Sequence, residues 1–426
     1  MRRIYFFVCI IVLCCINSAQ AHLPCPVNAR GVLQCDAEVK SSYKKSVSLH
    51  FDVNSREESY AARMLTKSLQ ERGYVINANS GDYSIKFFID KRGYDAEAFA
   101  IIPEGNVIKI IGGDYRGLIY GALSLSEDLR NEILLDNAVA RSEKPKLMLR
   151  AVKYDLPWDT YRHSEALNLH DETCRDPKYW EAFLDMMAEN RLNALSLWNL
   201  HPYPFMIIPK NYPEASPFTK EEFKEWQKLF QSIIGMAAER AIETYLIPFN
   251  IFVTPEFSVA HNVAMDNLDH HFYVRGETAQ IVKDYTRECV TQVLEEYPDL
   301  TGFGLTLGEG MAGMTPQERE AWMTETIIEG MRRANRPSKL VHRVPFSSTT
   351  ESLGNTSVET ERITRASIER EADMGFTEGP IFADFKFNWS HSLSTPKLIK
   401  VHGGPLYDTY FNPCLLYTSP SPRDTR

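Results

Sequence analysis

The chain has 426 residues, of which 44% are hydrophobic and 24% charged, a composition typical of a large globular enzyme with enough apolar material for two domains. Its net charge of -9 argues against a nucleic acid partner, because phosphate backbones are bound by an excess of Lys and Arg. The aromatic share of 11% suits sugar stacking and equally suits an ordinary core.

Residues 1–21 have the pattern of a secretory signal peptide. Arg2 and Arg3 precede an apolar run that ends at Ile16, and an A-x-A cleavage pattern ends at Ala21. A membrane anchor is the less favoured alternative, because the apolar run is too short to span a bilayer. The sequence therefore predicts a secreted or periplasmic protein, cleaved near Ala21, with no stable membrane insertion afterwards.

The cysteines predict one disulfide and no metal site. Export permits disulfides, and Cys25 and Cys35 are the natural pair in a short N-terminal loop. Cys174 and Cys289 lie far apart in predicted helical segments, where buried free thiols are favoured over a pair. No Cys or His spacing matches a structural zinc site, so the sequence predicts no metal and no cofactor.

Residues 22–139 are predicted to form a small α+β accessory domain, in which strands alternate with amphipathic helices. Gly112 and Gly113 lack the spacing of a dinucleotide-binding fingerprint and are interpreted as the start of a helix. A linker rich in charge and proline is predicted from Ala140 to Lys146. The predicted strands are Ser48 to Val53, Tyr83 to Ile89, Ala98 to Ile102 and Val107 to Ile111, and the predicted helices are Ser55 to Arg72 and Asp114 to Leu129.

Residues 147–413 alternate strand and helix in the rhythm of a parallel α/β fold, which predicts a truncated (β/α)8 TIM barrel that lacks its last strand. Residues 414–426 have no strand or helix period and are interpreted as an artefactual tail on a truncated gene, with a genuine disordered tail as the alternative. The predicted barrel strands are Val152 to Leu156, Ala194 to Trp198, Thr244 to Asn250, Gly302 to Leu307, Leu340 to Val344, Ile381 to Phe385 and Leu406 to Phe411; predicted helices include Pro177 to Asn190, Lys220 to Glu239, Thr278 to Glu296 and Pro316 to Ala334.

Glu309 follows the fourth predicted barrel strand and stands between Gly308 and Gly310. Barrel enzymes carry catalytic residues at the C-terminal ends of their strands, and flanking glycines allow a substrate or backbone to approach closely. Glu309 is therefore the predicted general acid. The alternative is a loop glutamate that caps the helix opened by residues 315–318.

Other strand ends supply a second carboxylate, cations and aromatic faces. Asp384 is the predicted second catalytic carboxylate; Glu256, also a candidate for substrate binding, competes for that role, and a salt bridge from Asp384 to Lys386 is the alternative. Arg343 and Lys386 are suited to an anionic group such as a uronate. The other predicted substrate-binding residues are Trp158, Arg162, Trp198, His201, Asn250, His342, Trp389 and His391. Core positions for the tryptophans and structural hydrogen bonds for the histidines are the alternatives.

The run from Val107 to Gly121 resembles the N-terminal domain shared by family 67 alpha-glucuronidases and family 20 hexosaminidases, and the barrel order with the Glu309 strand resembles the family 67 clan. That resemblance implies an exo-acting, alpha-glucuronidase-like glycoside hydrolase on plant or algal polysaccharide fragments. It also implies that Glu309 is the acid, that Asp384 is the second acidic residue and that the reaction inverts through an activated water. A hexosaminidase, the alternative, needs Asp where Gly308 stands. A non-catalytic carbohydrate-binding protein on the same barrel is a third hypothesis.

Overall fold

The computed structural model describes residues 45–78, 80–159, 165–264, 277–308, 310–344, 358–385, 400–401 and 404–405. In this part of the chain, the accessory residues form one six-stranded sheet and the barrel residues form a second, parallel one. This confirms the predicted fold class, a TIM-like barrel sheet preceded by an α+β domain. The predicted signal peptide, the Cys25–Cys35 pair, the seventh barrel strand and the tail lie outside the described residues.

The accessory sheet runs in the order β2-β1-β3-β5-β4-β6. Helix α2 packs against α1 and covers the sheet at β3, β4 and β5. The Asp114 side chain caps α2 by accepting a 2.7 Å hydrogen bond from Gly117 N, which confirms the helix start predicted there. The elements are β1 (Ser46–His50), α1 (Arg56–Glu71), β2 (Val75–Ile76), β3 (Tyr83–Ile89), β4 (Phe99–Glu104), β5 (Val107–Gly112), α2 (Tyr115–Arg130) and β6 (Arg141–Glu143).

Strand β6 lies where the sequence predicts a linker, and that prediction is wrong for these three residues. Arg141 to Glu143 pair antiparallel with β4 at the edge of the sheet. Arg141 also forms a 2.7 Å salt bridge to Asp128 of α2. The segment has the composition of a linker because an edge strand tolerates charged side chains on its exposed side.

The barrel sheet of the described residues contains six parallel strands in consecutive order, as the sequence predicts. They are β7 (Ala151–Asp155), β8 (Ala194–Asn199), β9 (Glu243–Pro248), β10 (Gly302–Leu305), β11 (Lys339–Val344) and β12 (Phe382–Phe385), and residues 400–401 and 404–405 form a separate antiparallel pair, β13 and β14. The helices are α3 (Glu165–Arg175), α4 (Pro177–Glu189), α5 (Lys220–Glu239), α6 (Pro255–His261), α7 (Gln280–Glu296), α8 (Pro316–Met323), α9 (Glu329–Arg333) and α10 (Val358–Asp373). A π-helical segment, Thr324–Ile328, joins α8 to α9 within the region predicted as one helix.

Each barrel strand has one face toward the barrel interior and one toward the helices, because successive strand residues point to opposite sides. In-register partners on neighbouring parallel strands share a face, so Asp155, Trp198 and Ile247 all point inward. The interior cluster consists of Ala194, Trp198, Leu200, Tyr245, Ile247, Phe249 and Phe252. The opposite face packs against the helices in the main core. This alternation decides which strand residues can reach an interior site.

A buried ion network joins the accessory domain to the N-terminal ends of the barrel strands. Arg116 of α2 lies 2.7 Å from Glu97 and 3.2 Å from Glu243, the first residue of β9. Glu97 also pairs with Arg150, and Glu243 with Lys339 of β11. Burial opposes ionisation of Glu243, but the Arg116 charge and the Lys339 hydrogen bond hold its pKa below the ordinary value. The network therefore links the accessory domain to the N-terminal ends of the barrel strands, whereas the predicted catalytic residues follow the C-terminal ends.

Cys174 and Cys289 are both buried and free, as predicted. Among the described residues, no helix combines the length and the apolar character that crossing a membrane requires.

Candidate active site

The turn that follows β10 requires glycine on both sides of position 309. Gly308 has φ +119° and Gly310 has φ +73°, a backbone region that other residues rarely adopt. A Cβ at Gly310 would lie 2.3 Å from the Asn250 carbonyl oxygen, so this turn packs closely against the end of β9. Glu309 itself lies outside the described residues, and its predicted role as general acid stays a prediction.

Helix α8, the helix that the capping alternative for Glu309 invokes, is capped by residues of its own first turn. The Thr315 hydroxyl accepts a 3.2 Å hydrogen bond from Glu318 N, and the Glu318 carboxylate accepts a 2.7 Å bond from Thr315 N. This is a complete capping box.

The chain segments at the C-terminal ends of the strands are strained. Ile251, just beyond β9, has φ +59°, and Asp159, beyond β7, has φ +48°. A β-branched residue at positive φ is a true outlier, of the kind that occurs at functional sites. The Asn250 side-chain amide donates to Thr306 O, while its buried Oδ1 has no hydrogen-bond partner among the described residues. Asn250 therefore offers an acceptor at the predicted mouth of the barrel.

We expect Gly310→Ala to destabilise the protein by about 2 to 3 kcal/mol, because the new Cβ meets the Asn250 carbonyl and the residue must keep a positive φ. Gly105→Ala is the matched control. Gly105 has φ +60° but open space around its Cβ site, so it should lose only about 1 kcal/mol. Urea unfolding measures both. Equal losses in the two variants would show that the turn after β10 does not pack against Asn250.

Two cationic side chains converge on one tryptophan inside the barrel. Lys153 Nζ lies 4.1 Å, and the Arg343 guanidinium carbon 5.1 Å, from the centroid of the Trp198 ring. The two cationic groups are therefore at most about 9 Å apart. Asp155 lies 3.3 Å from Lys153. Trp198 is only 4% exposed, so it serves as a platform beneath the cations instead of an open stacking face.

Asp384 lies on the strand next to Arg343. It is the in-register partner of Arg343 on the neighbouring strand, so the two side chains share the interior face. The structure thus brings together three predicted site residues, Trp198, Arg343 and Asp384. Lys153 was not predicted. The signal for it was its position two residues before Asp155 in a strand, which places both side chains on the same face.

Three other predicted substrate-binding residues contact side chains of the helices that surround the barrel sheet. Trp158 packs at 4.8 Å, ring centroid to ring centroid, against Trp226 of α5. His201 Nε2 lies 2.9 Å from the hydroxyl of Tyr285 on α7. His342 Nε2 lies 3.1 Å from Glu320 on α8. These core and structural roles are the alternatives that the sequence leaves open for them. The three side chains therefore do not join Trp198, Arg343 and Asp384 inside the barrel.

Of the remaining predicted residues, only Glu256 lies within the described part of the chain. Glu256 is exposed in the first turn of α6, where it is solvated. Arg162, Lys386, Trp389 and His391 lie, like Glu309, outside the described residues, and their roles stay predictions.

No protein-family model and no curated protein sequence matches this chain. Among solved structures, a family 138 glycoside hydrolase that targets pectin rhamnogalacturonan II is similar, with 27% identity, a TM-score of 0.61 and coverage of 71% of this chain. The chain spans only 35% of the length of that enzyme.

Hexosaminidases are similar in fold. The beta-hexosaminidase of Streptomyces plicatus, solved with its product GlcNAc, has 12% identity and a TM-score of 0.52, with coverage of 80% of this chain and 70% of its own. The family 20 beta-N-acetylhexosaminidase of Streptomyces coelicolor A3(2) has 13% identity and a TM-score of 0.50, with the same two coverages. At these identities the likeness concerns the fold alone. These three structural neighbours are glycoside hydrolases, and none of the three is a family 67 alpha-glucuronidase.

Proposed function

We propose that the chain is an exo-acting, alpha-glucuronidase-like glycoside hydrolase that removes a uronic acid residue from plant or algal polysaccharide fragments. Glu309 donates a proton to the departing glycosyl oxygen, and Asp384 activates the water that attacks from the opposite side, with inversion of the anomeric centre. The observation that carries the proposal is the convergence of Arg343 and Lys153 over Trp198, with Asp384 on the next strand. Export through residues 1–21 is part of the same proposal.

The charge of the interior favours an anionic sugar. Arg343 is buried, and a guanidinium in a water-poor site binds a carboxylate strongly through two parallel hydrogen bonds. Lys153 adds a second positive charge at most about 9 Å away. A uronate carboxylate would add an ion pair with these cations beside the carboxylates Asp155 and Asp384 of the chain itself, whereas a neutral hexose would add none.

Comparison with solved enzymes supports the same class. The similar family 138 enzyme acts on pectin rhamnogalacturonan II, a plant polysaccharide, which agrees with the predicted class of substrate. The hexosaminidases share the fold. Their chemistry needs an Asp to orient the acetamido group directly before the acid, and Gly308 has no side chain to do so. We therefore rank N-acetylhexosaminide cleavage second.

Arg343→Met tests the substrate class. Met keeps much of the side-chain length and removes the charge, so kcat/KM on an aryl alpha-uronide should fall about 10- to 100-fold, through KM more than kcat. Activity on the matching neutral aryl hexoside should change less than about threefold, because that substrate carries no carboxylate. Steady-state kinetics on both substrates provides the measurement.

Lys210→Met is the control for this experiment, since Lys210 is a highly exposed lysine on the outside of the barrel. It should leave both activities unchanged. Equal losses on the charged and the neutral substrate in Arg343→Met would reject uronate recognition. An aryl N-acetylhexosaminide cleaved faster than either would favour the second candidate, and binding of saccharides without any cleavage would favour a non-catalytic protein.

A further inference from the structure

Three ionisable side chains meet on the helix side of the barrel sheet, on the face opposite to Trp198 and Arg343. His342 of β11 and Glu371 of α10 are 0% exposed, and Glu320 of α8 is 3% exposed. His342 Nε2 lies 3.1 Å from Glu320 Oε2 and 3.8 Å from Glu371 Oε1. One nitrogen and two carboxylate oxygens, one from each residue, all lie within 4.8 Å of one another. The group thus has the dimensions of a coordination shell.

Glu371 is a buried carboxylate whose oxygens lack hydrogen bonds among the described residues. Its side chain is fully buried. A buried carboxylate aimed at an imidazole and a second carboxylate is stable when a cation compensates its charge.

Glu320 is held in an orientation suited to a metal ligand. The Thr364 hydroxyl of α10 donates a 2.6 Å hydrogen bond to Glu320 Oε1, which leaves Oε2 directed at His342. Ligating carboxylates in proteins are commonly oriented by such an outer hydrogen bond. An open cavity of about 410 Å³ between α8 and α10 reaches Glu320, one of the three residues.

We propose that Glu320, His342 and Glu371 bind one divalent transition-metal cation of the Zn²⁺ class. Imidazole nitrogen and carboxylate oxygen are zinc ligands at about 2.0 to 2.2 Å, which places tetrahedral ligand atoms about 3.4 Å apart. The separations of His342 Nε2 from the two carboxylate oxygens, 3.1 and 3.8 Å, bracket that spacing, and all three ligand atoms lie within 4.8 Å of one another. In the metal-bound state the two carboxylates would carry two negative charges and the imidazole would be deprotonated, so a divalent ion would balance the charge of the group. Ca²⁺ and Mg²⁺ fit less well, because they prefer six or more oxygen ligands.

The ion would connect β11 to α8 and α10, so its role is structural. The sequence predicts no metal because Cys and His spacings carry that signal, and this site has a single histidine. The proposal does not depend on the glycosidase assignment, since its test reads metal content and unfolding temperature.

The test uses the whole chain, stripped with a chelator, incubated with zinc sulfate and desalted. Mass spectrometry of the metal should find about one zinc per chain. The Tm should rise by about 5 °C when zinc is at a hundredfold excess over its Kd. Glu371→Gln, which keeps the shape and removes the charge, should reduce bound zinc at least tenfold and abolish the rise in Tm.

Glu369→Gln is the matched control, because Glu369 is exposed on the same helix two residues earlier. It should keep the full zinc content. The proposal fails if the wild-type chain retains no zinc, or if Glu371→Gln retains as much as the wild type. It also fails if Glu371→Gln raises the Tm while zinc leaves the wild-type Tm unchanged, because the three residues would then be a proton-sharing structural cluster.

Discussion

Glu309→Gln is expected to lower kcat/KM on a natural saccharide by about 10²- to 10⁴-fold, with substrate affinity within a few-fold of wild type. Gln preserves the size of the side chain and has no acidic proton to give to the leaving oxygen. The loss should be much smaller on an aryl glycoside with a highly acidic phenol, since that group departs without protonation. Steady-state kinetics on the two substrates, with Kd from calorimetry, provides the measurement.

Glu256→Gln is the control, because Glu256 is the competing carboxylate and is exposed on α6. Its activity should stay within about twofold of wild type. Unchanged turnover in Glu309→Gln would remove Glu309 from the mechanism. A parallel loss of affinity and turnover would assign Glu309 to substrate binding.

Arg116→Ala is expected to destabilise the protein by about 2 to 3 kcal/mol, because two buried carboxylates lose the cation that they share, while each keeps one other partner, Arg150 or Lys339. Arg116 contacts both Glu97 and Glu243, and its side chain is 17% exposed. The loss comes at the junction of the accessory domain and the barrel, so both should unfold together at lower urea concentration. The midpoint of urea unfolding, followed by far-ultraviolet circular dichroism, measures the change.

Arg130→Ala is the control on the same helix. Arg130 forms a 3.2 Å salt bridge to Glu189 with both side chains more than a third exposed, so its removal should cost less than about 0.5 kcal/mol. Equal losses in the two variants would show that burial of the Arg116 network contributes nothing to its strength.

The sequence predicts the architecture well where residues are buried on both faces of a strand. The run from Gly302 to Leu305 contains only apolar residues and glycine, and it is β10, with every residue buried. Helix α5 begins and ends where predicted, because Thr219 and Glu222 form a capping box and the apolar residues recur at helical spacing. The edge strand β6 and helix α10 were not among the predicted elements, because their charged sequences lack the contrast between apolar and polar positions.

The composition of the site was harder to predict, because a position near a strand end does not say which way the side chain points. His342 and Arg343 are adjacent on β11, and both were predicted to line the mouth of the barrel. Neighbouring strand residues point to opposite faces, so only one of them can do so. The register with β12 assigns the interior to Arg343, and His342 contacts Glu320 behind the sheet.

The proposed metal ligands show a second limit of the sequence. Glu320, His342 and Glu371 come from a helix, a strand and a helix, separated by 22 and 29 residues. Within α8 and α10 each glutamate looks like an ordinary polar helix residue. Only the packing of both helices on β11 brings the three together.

The most direct test of the proposed mechanism is proton NMR of the first sugar released by the wild-type chain from an alpha-linked uronic acid saccharide. We expect the beta anomer of the free uronic acid to appear first and then to mutarotate, because Asp384 directs water to the face opposite the leaving group. Initial release of the alpha anomer, or no release of a uronic acid at all, would contradict this mechanism.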